Sequence, residues 1–372
     1  MTHHRAMNGR YFEGDFPELT RRLEEHFDRV RTSWEAHGWK GSLVLGGGYG
    51  RGEGGVMTSS PAPAFSNDLD YFLFHEKPDS PELIKWAREI ERVESALLDI
   101  DVEIKAMKPL GINDPTGSMM FSDLVAGHIP VAGDASFLNE MVGKLDFSKI
   151  GSTEATRLLW NRGSGLFFSR CRIPDQQEMG FVIRNHAKVK LALGDSWLCL
   201  NGLYTPQCRE RGRRLSVSRL PDSPSWLIRW HQEGVDFKFR PFADGMTWEE
   251  LSKESEALIK AWGEIFLLAE SARLGRAFPN FASYLSASRL MPEHPLFKNL
   301  ALSVRDQLKR GACLRPLGDY PRASLMRALP CLLGQTAGGV EETARFLPVP
   351  SGDVADPRSW EETYALWWAY YA

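Results

Sequence analysis

Ser42-Leu43-Val44-Leu45-Gly46-Gly47-Gly48-Tyr49-Gly50-Arg51-Gly52-Glu53-Gly54-Gly55 is an apolar run that breaks abruptly into glycines. Ser42 to Leu45 reads as a short buried strand. Glycines directly after it bring no Cβ, so successive backbone N–H groups can close on a phosphate as an anion nest. Toward the N-terminus, Leu19, Leu23, Phe27 and Val30 recur at helical spacing among charges and predict a helix over Pro17 to His37. Toward the C-terminus, Val56 to Ser66, with Ser59, Ser60, Pro61 and Pro63, has the composition of a loop. Leu69 to His75 is a second strand, rich in aromatics and leucine. Ser80-Pro81-Glu82 starts a helix, with proline at its first position, that runs to about Leu98. Ile100 to Met107 alternates polar and apolar residues and makes a third strand.

The carboxylates fall on these strands. In Asn67-Asp68-Leu69-Asp70-Tyr71, Asp68 and Asp70 are two residues apart, so both side chains take one face, roughly 7 Å apart at Cα. Two acids that close repel unless a cation lies between them. In Ile100-Asp101-Val102-Glu103-Ile104, Asp101 and Glu103 likewise share a face. Three converging carboxylates beside a phosphate cradle suit Mg²⁺, which takes hard oxygen ligands and keeps some waters. Two ions held by Asp68, Asp70 and Asp101 would neutralise a leaving pyrophosphate and lower the pKa of an acceptor hydroxyl. Asp101 could also take that hydroxyl's proton. Glu103 is equally available as the third acid, and Asp101 is favoured for its Ile-Asp-Val setting.

Strand, glycine pair, spacer, apolar-flanked Asp-x-Asp, helix, then a strand with an apolar-flanked acid resembles the signature of the DNA polymerase β-type nucleotidyltransferases. Gly47-Gly48 matches the glycine pair, Asp68-Leu69-Asp70 the metal-binding pair, and Ile100-Asp101-Val102 the third-acid strand. Gly47-Gly48-Tyr49-Gly50-Arg51-Gly52-Glu53 looks like the loop of the bacterial adenylyl- and uridylyltransferases that modify nitrogen-control proteins. Asp123-Leu124-Val125-Ala126-Gly127, leading to Val131-Ala132-Gly133-Asp134, is similar to the helix and strand after the core in bacterial members. The resemblance covers residues 40 to 135 or so, and the spacer between Glu53 and Asp68 is longer than the pattern. It implies a magnesium-dependent transferase that moves a nucleoside monophosphate, with ATP the favoured donor, to a hydroxyl of a small molecule or protein. The same chemistry on an RNA 3′ end, or an inactive nucleotide-binding regulator on this fold, are the alternatives. Gly47, Gly48, Tyr49 and Arg51 are the expected nucleotide contacts. Lys188, with Arg184 one helical turn before it, could face the triphosphate, as basic residues of the following helical domain do in this superfamily.

Other readings of the glycines fare less well. Gly50, Gly52 and Gly55 fit GxGxxG, but Met57-Thr58-Ser59-Ser60-Pro61-Ala62-Pro63 will not start the helix a dinucleotide site requires. No Gly-Lys-Ser/Thr follows, which rules out a Walker loop. Arg51 either reaches a phosphate or pairs with Glu53, whose own role reads as structural.

Beyond Pro109 a short helix over Ser118 to Ala126 and a strand over Ile129 to Val131 close the first unit. Thereafter helical periodicity covers Thr153–Ser169, Glu178–Leu200, Trp226–Val235, Trp248–Leu274, Pro295–Arg310, Pro321–Leu333 and Trp360–Tyr371. The fold class is α+β. A catalytic α/β core with a mixed sheet flanked by helices and an N-terminal helix occupies residues 1–135. A larger all-helical domain, completing the nucleotide and acceptor cleft, occupies residues 136–372. In the helical part, Arg157 with Asn161 reads as a buried network or a nucleotide contact, and Asp195 as buried. Arg209-Glu210-Arg211-Gly212-Arg213-Arg214 reads as a solvated face rather than a docking strip.

A net charge of −3 shows no basic excess, which disfavours long nucleic acid as the main partner. Five scattered cysteines contain no CxxC pair and read as reduced thiols. The polar stretch Met1 to Arg10 lacks a signal-like apolar run, and no segment of about 18 apolar residues appears. A cytoplasmic protein with no membrane association is expected.

Overall fold

The computed structural model describes residues 9–58, 62–109, 118–218, 223–242 and 245–371. The polar N-terminal residues 1–8 and Ser59, Ser60 and Pro61 of the expected loop lie outside them. In chain order the elements begin α1 (Pro17–Ala36), β1 (Ser42–Leu45), α2 (Gly47–Gly50), β2 (Gly55–Met57), β3 (Ala64–Ser66) and β4 (Leu69–Phe74). Next come α3 (Pro81–Leu98), β5 (Val102–Met107), α4 (Met119–Ala126), β6 (Ile129–Gly133) and α5 (Ser136–Val142). The helices α6 (Ser152–Arg172), α7 (Met179–Leu200), α8 (Cys208–Val217), α9 (Leu227–Phe239) and α10 (Trp248–Leu274) follow. The chain closes with α11 (Phe281–Leu285), α12 (Leu296–Arg310), α13 (Pro321–Leu332) and α14 (Glu361–Tyr371). It is a mixed α+β protein with a small sheet and many helices.

Two compact units form. One comprises Met1–Gly151, Gly202–Ser223 and Gln232–Phe242, and the other Ser152–Asn201, Pro224–His231 and Ala243–Ala372. The first unit is therefore discontinuous in sequence. It reaches past residue 135 and takes in later segments that the sequence assigns to the helical part.

Its sheet runs β5-β4-β1-β6. β1 pairs antiparallel with both β4 and β6, and β4 pairs parallel with β5. Strand alternation sends successive side chains to opposite faces, so a strand between two helical layers is apolar throughout. Apart from Asp70 near its start, β4 is such a strand. Tyr71 and Leu73 join a core with Leu23, Phe27, Leu83 and Trp86 from α1 and α3. Phe72 and Phe74 join another with Phe121, Leu124 and Leu138 from α4 and α5. In the first core, buried His26 links Glu94 (Nδ1 to Oε2, 2.8 Å) and the Tyr71 hydroxyl (2.7 Å). The Arg29 guanidinium pairs with the same carboxylate at 2.6 Å. Burial pushes Glu94 up, but the hydrogen bonds from His26 and Arg29 outweigh it and hold the carboxyl at about 2.

The stretch Val56 to Ser66, expected as loop, instead contains the paired strands β2 and β3. Its Ser and Pro content conceals Val56 and Phe65, which are both buried. The helix α8 lies where a solvated basic face is expected. Only part of that stretch is solvated, because Arg211 is buried and donates to the carbonyls of Thr205 and Pro206.

In the second unit α6, α7 and α10 pack together around large aromatics. Trp262 of α10 is fully buried and donates to the Leu159 carbonyl at 2.8 Å. Glu270, also buried, accepts from Thr156 and Tyr284 and pairs with Arg273. Arg157 and Asn161 are both exposed, and Arg157 pairs with Glu154, so they form no buried network. Asp195 is buried and accepts from His231 at 2.9 Å. Among the described residues no helix is long and apolar enough to cross a membrane. All five cysteines are free thiols.

Candidate metal and phosphate site

Asp70 sits on β4 directly opposite Glu103 of β5. Asp68 lies just before β4, after Asn67, whose φ of 70° turns the chain through the left-handed region that asparagine tolerates. The outcome is a group in which Asp68, Asp70 and Glu103 each offer a carboxylate oxygen within 4.8 Å of the others. Oxygens that close, on three acids that are not deeply buried, make the donor set that a hard divalent cation prefers. Asp101 is exposed just before β5 and is not in this group. Its carbonyl instead accepts from the Leu69 N–H at 2.9 Å, the rung that begins the β4–β5 pairing.

β5 is a sheet edge, and edge N–H groups need partners. Ser95 and Glu91 of α3 supply them, accepting from Val102 N (2.8 Å) and Ile104 N (2.7 Å). These two bonds flank Glu103 and fix the strand that carries it.

The glycines close over the acids. The Gly46 N–H donates to the Asp70 carbonyl at 2.8 Å. Gly47 has φ of 59°, and a Cβ there would collide with the Asp70 carboxylate. Only glycine satisfies both the backbone conformation and the close approach. The cluster then forms the single turn α2, whose first N–H groups have no acceptor within the turn. Gly48 lies in this same turn. The Tyr49 side chain turns inward and is 2% exposed, so its hydroxyl is committed to the protein. It accepts from Ser66 N–H at 3.2 Å and lies 2.8–2.9 Å from the carbonyls of Ser66 and Gly55. Burial pushes this phenol far above its ordinary value. Tyr49 thus clamps the glycine turn to the β2–β3 hairpin.

Behind the turn lies a buried charge network of which sequence reading saw only the Arg51–Glu53 pair. Arg51 lies 3.4 Å from both Glu53 and Asp123. Glu53 also accepts from Cys208 N–H and from Lys238 Nζ, both at 2.6 Å. Asp123 accepts from Tyr204 at 3.0 Å. Burial pushes Glu53 up, yet Lys238 and Arg51 prevail and hold it at about 2. Asp123 ends above its ordinary value because burial outweighs Arg51 and Arg211. Of the two readings of Arg51, the side chain makes the pairing with Glu53. An acid inside the apolar run Phe121-Ser122-Asp123-Leu124-Val125 was the one local signal. Lys238 and Cys208 are more than 150 residues from Glu53 and left none.

Lys188 lies on α7 in the second unit, half-buried, with Arg184 exposed one turn earlier. No family model, curated protein or solved structure matches the chain.

Proposed function

We propose that the first unit is a nucleotidyltransferase core that moves a nucleoside monophosphate, AMP by preference, from an NTP to a hydroxyl of a small molecule or protein. The observation that carries this reading is the convergence of Asp68, Asp70 and Glu103 under a glycine turn that lies against the Asp70 carboxylate. Asp68 and Asp70 would hold Mg²⁺ with Glu103 as third ligand. When bound, the metal would supply charge neutralisation for the triphosphate and acidify the acceptor hydroxyl. The glycine turn offers backbone N–H groups to phosphate oxygens. Glu103, the one acid of β5, would also take the acceptor's proton, the role expected of Asp101 from the sequence. Free thiols at all five cysteines agree with a cytoplasmic setting.

The test is incubation of the protein with Mg²⁺ and each α-labelled NTP, alone and with cell extract, following label transfer and pyrophosphate. Transfer that disappears in Asp70→Asn supports the reading, and the size of the labelled product identifies the acceptor class. Mg²⁺-dependent NTP binding without transfer under any acceptor condition would replace it with a regulatory role.

A further inference from the structure

The second unit contains a cleft of about 880 Å³. Four arginines line it: Arg289, Arg315, Arg327 and Arg345. Asp319 is the one acid in the lining. Arg345 is offset by Glu342 next to the cleft, with which it pairs. Arg289 and Arg315 are exposed, whereas Arg327 of α13 is 2% exposed.

Arg327 is the informative residue. Its Nη2 donates to the Ala287 carbonyl at 2.8 Å and pairs with Asp319 at 2.5 Å. Its Nη1 has no acceptor among the described residues. A guanidinium is never deprotonated in a protein, and burying one with donors unused is costly. Such a side chain persists where an anion completes its hydrogen bonding, and the planar fork suits carboxylate or phosphate oxygens. Leu296 and Phe346 form apolar wall beside these charges. Ligand sites combine that kind of wall with a few placed polar groups.

We propose that this cleft binds a small organic oxyanion, a phosphate monoester or carboxylate carried on an apolar body, held by Arg327 and Arg315 with its apolar part against Leu296 and Phe346. The experiment is titration calorimetry of the full chain at constant ionic strength with phenyl phosphate, benzoate and inorganic phosphate. At least one aromatic probe is expected to saturate with a dissociation constant at or below about 1 mM. The preferred probe identifies the anionic group. Inorganic phosphate, lacking the apolar body, is expected to bind about tenfold more weakly or not at all. Arg315→Gln, at an exposed position that leaves folding intact, should weaken the preferred probe about tenfold. Asp70→Asn should leave its affinity unchanged. Arg327→Lys, which keeps the charge but not the fork, should also weaken it. The proposal is overturned if neither aromatic probe saturates, if inorganic phosphate binds as tightly as they do, or if the arginine variants bind like the parent.

Discussion

The assignments at single residues separate two acids that spacing alone treats as equivalent. Glu103 lies opposite Asp70 and its longer side chain reaches the shared oxygen cluster, whereas Asp101 contributes a backbone rung. Glu103→Gln is therefore expected to lower Mg²⁺-dependent transfer roughly a thousand-fold, as is Asp70→Asn, while Asp101→Asn stays within about tenfold of the parent. The reverse ranking in the labelled-NTP assay would return the role to Asp101. Gly47→Ala is expected to cost about 1–2 kcal/mol from the left-handed backbone alone, and more from the clash with Asp70. Thermal melts of that variant at parent stability would contradict the close approach. The Asp-x-Asp pair and the glycine cluster were legible as local strings of residues, although Asp68 precedes β4 and is placed by the left-handed Asn67 rather than by strand alternation. The choice of third acid was not, because it depends on the register between β4 and β5, which a single strand's sequence does not contain.

Elements were easiest to read where burial is continuous. α1, β1, α3 and α10 fall within a residue or two of their expected bounds, since apolar periodicity and, for α3, the Pro81 start mark them. The β2–β3 hairpin was missed because each strand is only three residues, shorter than any periodicity can register. Its position is set by Tyr49, a tertiary contact. α3 holds β5 through Ser95 and Glu91, so Glu91→Ala should loosen the strand under Glu103. Faster amide exchange at Ile104 together with weaker Mg²⁺ binding is the expected result, and unchanged exchange would separate α3 from the site. The buried ion pairs have a pH signature. Glu53 and Glu94 are each depressed from 4.5 to about 2, so their contribution is present above about pH 4.5 and is lost as pH falls toward 2. Lys238→Met removes one cation from Glu53 and should cost about 3–5 kcal/mol, since it leaves a buried carboxylate short of a partner. Urea melts between about pH 6 and about pH 3 should show the acid limb of the variant shifted upward. Parallel pH profiles would mean that Lys238 does not govern Glu53.

For the whole molecule, the α+β class and the helical second part were legible from the change in periodicity past Pro109, but the division between units was not. A linear reading places one boundary, whereas the first unit recovers Gly202–Ser223 and Gln232–Phe242 after the chain has left it. Cys208 and Lys238 lie on those returning segments, and both bond to Glu53. A fragment of residues 1–151 is thus expected to lack a cooperative thermal transition, and a sharp melt at the parent temperature would show that the returning segments are dispensable. The same discontinuity constrains inheritance. A unit written on one continuous stretch can be copied, fused or exchanged between genes by a single crossover. Here any single crossover between residues 151 and 202 would part Glu53 from both of those partners, so the first unit and the segment threaded between its pieces are obliged to travel, and to diverge, together.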